Sequence, residues 1–434
     1  MSSTYSRMMR YLQTAGFVEE LTRLYGSKNG VLCDQVSRYK QCVKRHMELF
    51  NSREKLYLMS APGRVEIAGN HTDHQKGRVL AAAVNLDMIA AVSPRADGLV
   101  RLMSEGYPML ELSLDDLSVR PEEKGTTAAL VRGVAAGMKA HGFRVGGLEA
   151  TVTSNVLSGS GLSSSAAMEV LLCAMQDALY NDLKMDPVLR AQISQYAENE
   201  YFGKPCGLMD QMACSVGGIV AIDFKCREPK VEPMKVSFSD MGYAMVVVNS
   251  RGSHDDLTDE YASIRREMTA VAEYFGEEVL RRVQKEQVLL AIPALREKAG
   301  DRAVLRALHF FDENARVRSQ TENLRAGDRE AFLSLINESG QSSWMLLQNI
   351  HVPGTSQPMA VALELARTRL EGCGAWRVHG GGFAGTTLNF VPEGLVDEFV
   401  RKMEQVFDTG CCFVVDVRPV GPALSHMEPE NGED

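Results

Sequence analysis

Two short segments carry the residues whose types and spacing could do chemistry. The first is Ala61-Pro62-Gly63-Arg64-Val65-Glu66-Ile67-Ala68-Gly69-Asn70-His71-Thr72-Asp73-His74-Gln75-Lys76-Gly77. It packs an arginine and several polar side chains into a glycine-punctuated turn, a set suited to the hydroxyls of a small ring. The second is Ser158-Gly159-Ser160-Gly161-Leu162-Ser163-Ser164-Ser165-Ala166-Ala167. Successive small residues let backbone N–H groups converge on one concavity, and a following helix adds its positive N-terminal end. That is an anion site suited to a triphosphate, with hydroxyls that can reach phosphate oxygens or a metal. A polyol site beside a phosphate cradle implies phosphoryl transfer to a sugar. Taken alone, the serine loop also fits plain capping and turn chemistry. The Walker pattern Gly-x4-Gly-Lys-Ser/Thr is absent, so the chain is not a P-loop NTPase.

Phosphoryl transfer wants one carboxylate for Mg²⁺ and often another to accept the hydroxyl proton. Glu198 and Asp210, in Gly207-Leu208-Met209-Asp210-Gln211, are candidates. The Gly203-Lys204-Pro205 turn between them can bring both toward one point. As isolated residues they read more readily as surface carboxylates. Arg64 suits such a base, because a nearby guanidinium holds a carboxylate ionised and neutralises charge on a transferring phosphoryl group. Its plainer reading is an ordinary ion pair. His71, Asp73 and His74 have a possible metal spacing, but no third histidine or cysteine cluster supports zinc.

A third glycine-rich stretch, His379-Gly380-Gly381-Gly382-Phe383-Ala384-Gly385, satisfies two unrelated patterns. It matches the dinucleotide fingerprint Gly-x-Gly-x-x-Gly, but the run Thr386 to Val391 behind it predicts a strand where that fold needs a helix. It also contains the His-Gly-Gly-Gly of esterase oxyanion holes, yet no Gly-x-Ser-x-Gly elbow exists in the chain.

The elements that must position these residues are a mixture of helices and strands without regular βαβ alternation, an α+β class in two lobes. Apolar spacing predicts helices over Met8 to Tyr25, Thr126 to His141, Leu162 to Tyr180 and Arg190 to Phe202, and a short helix near Gly207. Further helices are expected over Glu260 to Phe275, Ala303 to Leu324 and Glu330 to Glu338. Strands are expected over Tyr57 to Ser60, Val79 to Val92, Leu148 to Thr153, Gly217 to Asp223 and Ala244 to Asn249. A strand, glycine loop and strand follow over Trp376 to Val391, with a last strand near Cys412 to Val417. The lobe boundary is placed in the charged stretch Lys225 to Pro233, giving an extension over 1–50, one lobe over 51–230 and a second over 231–434.

At 434 residues the chain has room for two or three cores, and 45% hydrophobic with 24% charged residues is ordinary globular composition. A net charge of -9 without a basic run argues against a nucleic-acid partner. The nine scattered cysteines form no Cys-x-x-Cys pair and read as free thiols in a reducing cytoplasm. No signal-peptide core or membrane-spanning run is visible, so a cytoplasmic protein is expected.

In order and spacing, the three motifs resemble those of the GHMP small-molecule kinases, and within them the chain is similar to the galactokinases. Their signature reads approximately Gly-Arg-Val-Asn-Leu-Ile-Gly-Glu-His-Thr-Asp-Tyr, and Gly63 to His74 matches it at most positions. Gly161 to Ala167 is close to the superfamily's ATP loop, Gly207 to Gln211 to its catalytic segment and Gly380 to Gly385 to its third motif. The resemblance covers Pro62 to Val417 and implies an S5-like N-terminal lobe and a ferredoxin-like C-terminal lobe with the site between them. It implies Asp210 as the base for the sugar's anomeric hydroxyl and Arg64 as the stabiliser of the transition state. Ser165 and Glu198 are implied to hold Mg²⁺, with Gly159, Ser160, Gly161, Leu162, Ser163, Ser164 and Ser165 around the ATP phosphates. Asn70, His71, Asp73 and Tyr261 are the implied sugar contacts.

The chain departs from that signature at Glu66, where the family has Asn, at Asn70, where it has Glu, and at His74, where it has Tyr. Gly340 and His379 depart from other family segments. In galactokinases the acidic residue at position 70 is implied to contact the C6 hydroxyl. A neutral amide removes a strong acceptor and also the repulsion toward an anion. Galactose is therefore the expected substrate, with galacturonate or another C6-variant sugar as the alternative. A non-catalytic sugar and ATP sensor on the same fold is the other class of reading.

Overall fold

Strand β1 (Tyr57–Ala68) is buried along its whole length, and β2 (Arg78–Arg95) nearly so, because both faces of their sheet are covered. Their side chains alternate between two cores. Tyr57, Met59, Met88, Ala90 and Val92 face the central core, whereas Leu58, Ile89 and Ala91 face a second one. That second core is built with the helices α1 (Ser3–Tyr11), α2 (Ala15–Tyr25) and α3 (Asn29–Phe50). The extension expected over 1–50 thus covers the outer face of the sheet. Asp87, fully buried on β2, fastens it: Tyr25 Oη donates at 2.5 Å, and Arg38 and Arg418 each pair at 2.6 Å.

The computed structural model describes residues 3–27, 29–51, 54–156, 161–252, 257–352, 354–383 and 385–427. The remaining strands of the first sheet are β3 (Leu99–Ser104), β4 (Leu110–Ser113), β5 (Gly147–Ser154), β6 (Ile219–Asp223), β7 (Lys230–Met234) and β12 (Ala423–Met427). The order is β12-β1-β2-β5-β3-β4, with β6 beside the other half of β2 and β7 beside β6. Every pairing is antiparallel except β3 with β5. Helices α4 (Thr127–Ala140), α5 (Ser164–Tyr180), α6 (Pro187–Tyr196) and α7 (Met209–Val216) fill the inner face.

The second sheet is antiparallel with the order β11-β8-β10-β9, from β8 (Tyr243–Asn249), β9 (Ala375–His379), β10 (Thr386–Pro392) and β11 (Cys412–Val415). Helices α8 (Thr258–Tyr274), α9 (Lys285–Lys298), α10 (Asp301–Ala326), α11 (Arg329–Ser342), α12 (Pro358–Leu370) and α13 (Val396–Phe407) complete the second half. Among the described residues no helix is long and apolar enough to cross a membrane.

Three expectations differ from the structure. Met8 to Tyr25 is two helices, because Thr14 Oγ1 accepts from Phe17 N–H at 3.3 Å and starts a new one. The charged stretch taken as a boundary contains β7, whose pairing with β6 keeps it in the first sheet. The second lobe is not the whole of 231–434 either, since β12 returns to pair with β1.

Candidate active site

Arg64, on β1, and Asp210, in the first turn of α7, meet through two parallel hydrogen bonds. Arg64 Nε lies 2.7 Å from Asp210 Oδ1 and Nη2 lies 2.6 Å from Oδ2. A fork against a carboxylate fixes direction as well as distance. The arginine is fixed in turn by its Nη1 donating to the Gly161 carbonyl. Ser163 Oγ also donates to Asp210 Oδ2. Burial alone would raise the Asp210 carboxyl, but Arg64 and the Ser163 hydroxyl hold it below its ordinary value. The Arg64 side chain is 7% exposed and that of Asp210 is 30% exposed, so the carboxylate keeps an open side.

Ser163 is in the left-handed region at φ 57° and makes no side-chain cap on α5, its hydroxyl being used on Asp210. The N-terminus of this 17-residue helix therefore gets no cap from Ser163, and its positive end is of the kind that receives phosphates. Gly161, at φ +74°, must be glycine: a Cβ there would stand 2.3 Å from Thr386 Oγ1. The serine loop is therefore seated against the third glycine stretch. Gly159 and Ser160 lie outside the described residues.

On α5, Ser165 Oγ donates to Glu198 Oε1 at 3.0 Å. Glu198 sits in a π-helical turn over Ala197–Phe202 and is buried. Cys206 Sγ donates to its Oε2 at 3.1 Å, Gln211 Nε2 at 2.6 Å, and Lys204 Nζ approaches Oε1 at 3.6 Å. Gln211 also reaches Glu169 Oε2 at 3.1 Å. Glu169 is fully buried, its Oε1 has no hydrogen-bond partner among the described residues, and burial followed by the charge of Glu198 pushes its carboxyl well above the usual range. A hydroxyl, a carboxylate and a buried unpartnered carboxyl oxygen are hard donors of the kind Mg²⁺ takes. Sequence reasoning missed Glu169 and Gln211. The signals were there: Glu169 is four residues after Ser165 on one helix face, and Gln211 follows Asp210.

The four expected sugar contacts all belong to one neighbourhood, three of them against the third glycine stretch. His71, at φ 56°, places Nε2 3.0 Å from the Gly381 carbonyl, and Tyr261 Oη donates to the Gly382 carbonyl at 3.0 Å. Asn70 Nδ2 donates to the Gly380 carbonyl at 2.7 Å. Asp73 lies beside Gly207, where a Cβ would come 1.6 Å from Asp73 Oδ2, so only glycine lets α7 begin there. Burial and then the charge of Asp210 raise the Asp73 carboxyl to about 6. Asn70 differs from the other three in being fully buried with protein partners at both ends of its amide.

The departures from the signature acquire physical reasons here. Glu66 is paired with Arg377 at 2.8 Å. His379 Nε2 accepts the Glu66 N–H at 3.0 Å while its Nδ1 faces Thr386 Oγ1 at 2.9 Å, which requires a neutral ring. Burial, then the nearby Arg64 and Arg377, keep its pKa well below the ordinary value. A Cβ on Gly340 would stand 2.9 Å from the Trp376 carbonyl, so α11 packs on β9 only with glycine. His74 stacks edge-on to His71 at 5.8 Å, and its buried Nε2 has no hydrogen-bond partner among the described residues. Thr386 begins β10, so a strand follows the glycine stretch and the dinucleotide reading is removed.

The chain is similar to known proteins over most of its length. The galactokinase galactose-binding signature matches residues 44–94, and the GHMP kinases N terminal domain matches residues 129–218. A galactokinase of Actinobacillus pleuropneumoniae is 34% identical over 348 residues, 79% of this chain and 86% of its own length. One of Bos taurus is 33% identical over 391 residues, covering 88% and 95%. Among solved structures, Lactococcus lactis galactokinase complexed with galactose superposes with a TM-score of 0.76 at 23% identity, over 88% of this chain and 98% of that one. The mevalonate kinase of Methanococcus jannaschii gives 0.58 at 16% identity, over 84% and 99%.

Proposed function

The chain belongs to the galactokinase family of GHMP kinases, ATP-dependent sugar phosphotransferases, and from that premise we propose that it phosphorylates galactose at the anomeric hydroxyl. The observation that carries the proposal is the forked Arg64–Asp210 pair standing between the N-terminus of α5 and the 70–74 loop.

Asp210 is the acceptor of the hydroxyl proton. Its lowered pKa keeps it ionised at neutral pH, so it is always ready but only weakly basic. That suits a loose phosphoryl transition state, in which the attacking hydroxyl becomes acidic only as its bond to phosphorus forms. Arg64 holds the carboxylate in register and turns its positive charge toward the oxygens of the transferring group. Ser163 orients the same carboxylate from the other side. The amides at the start of α5 receive the phosphates. Ser165 and Glu198 would hold Mg²⁺, with Glu169 behind them, and the ion would offset charge on the phosphate oxygens. His71, Asp73 and Tyr261 present the donors and acceptors for the sugar hydroxyls.

Galacturonate loses its support, because the amide of Asn70 is already occupied by protein groups. A sensor is disfavoured by the complete Arg64–Asp210–Ser163 constellation. The deciding experiment is ATP consumption with Mg²⁺ across galactose, N-acetylgalactosamine, arabinose, glucuronate and galacturonate. Turnover dominated by galactose is expected. A galacturonate-dominated profile, or tight sugar binding without turnover, would overturn the proposal.

A further inference from the structure

Between the family signature and this chain lies a reciprocal exchange. Where the signature has Asn and, four residues later, Glu, the chain has Glu66 and Asn70. The two side chains touch, Asn70 Nδ2 donating to Glu66 Oε1 at 2.9 Å. In this chain the carboxylate stands at 66 and the amide at 70, the reverse of the signature's residue types.

At position 66 that charge is answered by Arg377, whose Nη2 lies 2.8 Å from Glu66 Oε1 and whose Nη1 donates to the Ile67 carbonyl at 2.6 Å. All three side chains are buried. The rest of Asn70 is spent on the protein as well. Its second Nδ2 hydrogen goes to the Gly380 carbonyl at 2.7 Å. Its Oδ1 accepts from Asn349 Nδ2 at 2.8 Å and faces Ser343 Oγ at 3.4 Å. Its own carbonyl faces His309 Nε2 at 3.0 Å. A primary amide has two donor hydrogens and two acceptor lone pairs, and here all four are engaged.

We infer that Asn70 is a positioning residue that does not read the sugar: with Glu66 and Arg377 it clamps the sugar loop onto the third glycine loop. The clamp sets the register in which His71 meets Gly381. A glutamate at 70 would press a second carboxylate against Glu66 and turn an anion toward the Gly380 carbonyl, both in a buried place where unpaired charge is costly. A glutamate at 70 is therefore incompatible with a glutamate at 66 in this packing.

The inference uses the sugar-kinase reading for its kinetic test and is independent of it in a second test. The first compares kcat/KM for galactose and 6-deoxygalactose in the natural protein, Asn70→Ala and Asn349→Ala. A positioning residue affects both sugars together: KM rises about tenfold, kcat changes less because Arg64 and Asp210 are anchored elsewhere, and the ratio between the sugars stays within about twofold. A ratio that collapses selectively in Asn70→Ala would mean that this amide holds the 6-hydroxyl, and the inference would fall. Should Asn70→Ala not fold, Asn349→Ala gives the same reading, since it removes a partner of the same amide.

The second test is thermal unfolding without sugar of Glu66→Asn, Asn70→Glu and the double exchange E66N/N70E. Each single change lowers the midpoint, and the double exchange recovers the part of the loss that comes from the contact between the two side chains, Arg377 still lacking its carboxylate at 66. A double variant no better than the sum of the singles would overturn the pairing. If the natural protein phosphorylates neither sugar, the functional reading fails while the unfolding cycle still decides this inference.

Discussion

Arg64 and Asp210 are joined twice, at 2.7 and 2.6 Å, and each is also held by the serine loop, Arg64 through the Gly161 carbonyl and Asp210 through the Ser163 hydroxyl. The Arg64–Asp210 pair and the serine loop are therefore tied into one hydrogen-bonded unit. Asp210→Asn keeps the shape and removes the proton acceptor. Its kcat should fall about 10²-fold or more, since general-base help is typically worth 10²–10⁴. Steady-state kinetics beside an unfolding curve check this, and near-normal turnover in a folded variant would remove Asp210 from the role.

Arg64→Lys keeps the charge and loses the fork. A point charge cannot hold both carboxylate oxygens and Gly161 together. The expected result is a loss of kcat of about 10²-fold with a smaller change in KM, as for removal of one transition-state donor. Rapid-quench measurement of the chemical step separates this from slow product release.

Much of this centre is legible in the sequence, because glycine and serine spacing encodes where backbone must come close. The serine loop, Asp210 and the strand after Gly385 can all be placed from local pattern. What cannot be read there is long-range pairing. Glu66, His379 and Arg377 look like unrelated departures in the chain, yet they meet across the two sheets. Helices α9 and α12 and the β3–β4 hairpin also escaped. Pro293 interrupts the propensity pattern of α9, and the short β4 buries only part of one face. The site was readable where chemistry is local and opaque where it depends on neighbours distant in sequence.

Burial and the charge of Asp210 push the Asp73 carboxyl up to about 6. Because its pKa is raised, it loses its charge on acidification earlier than an ordinary aspartate. The sugar KM should rise as pH falls through about 6, while Asp210, shifted the other way, stays ionised. The effect on stability has the opposite sign: the raised pKa favours the protonated fold, a contribution full below the unfolded value and lost as pH rises through about 6. A pH profile of kcat/KM for sugar measures the first effect, and the inflection near 6 should vanish from the residual activity of Asp73→Asn.

Glu198→Gln leaves Ser165 and Gln211 in place and removes a charge from the donors proposed for the cation. The Mg²⁺ concentration for half-maximal activity should rise about tenfold or more, in line with the sensitivity of metal sites to their supporting groups. Titration of activity with Mg²⁺ at fixed ATP reads this directly. An unchanged Mg²⁺ requirement would dissociate Glu198 from the ion.

The edge strand β12 lies against β1, the strand that carries Arg64, and Tyr11 of the first helix donates to the carbonyl of Ser425. β12 follows β1 by nearly the whole length of the chain. During synthesis the sheet that carries Arg64 must wait, one edge unpaired, until residues 69–427 have left the ribosome. Residues 51–230 made alone would keep that edge open, and unpaired strand edges are templates for aggregation. Truncation before residue 423 should therefore cost soluble yield more than any loss of catalytic groups would explain.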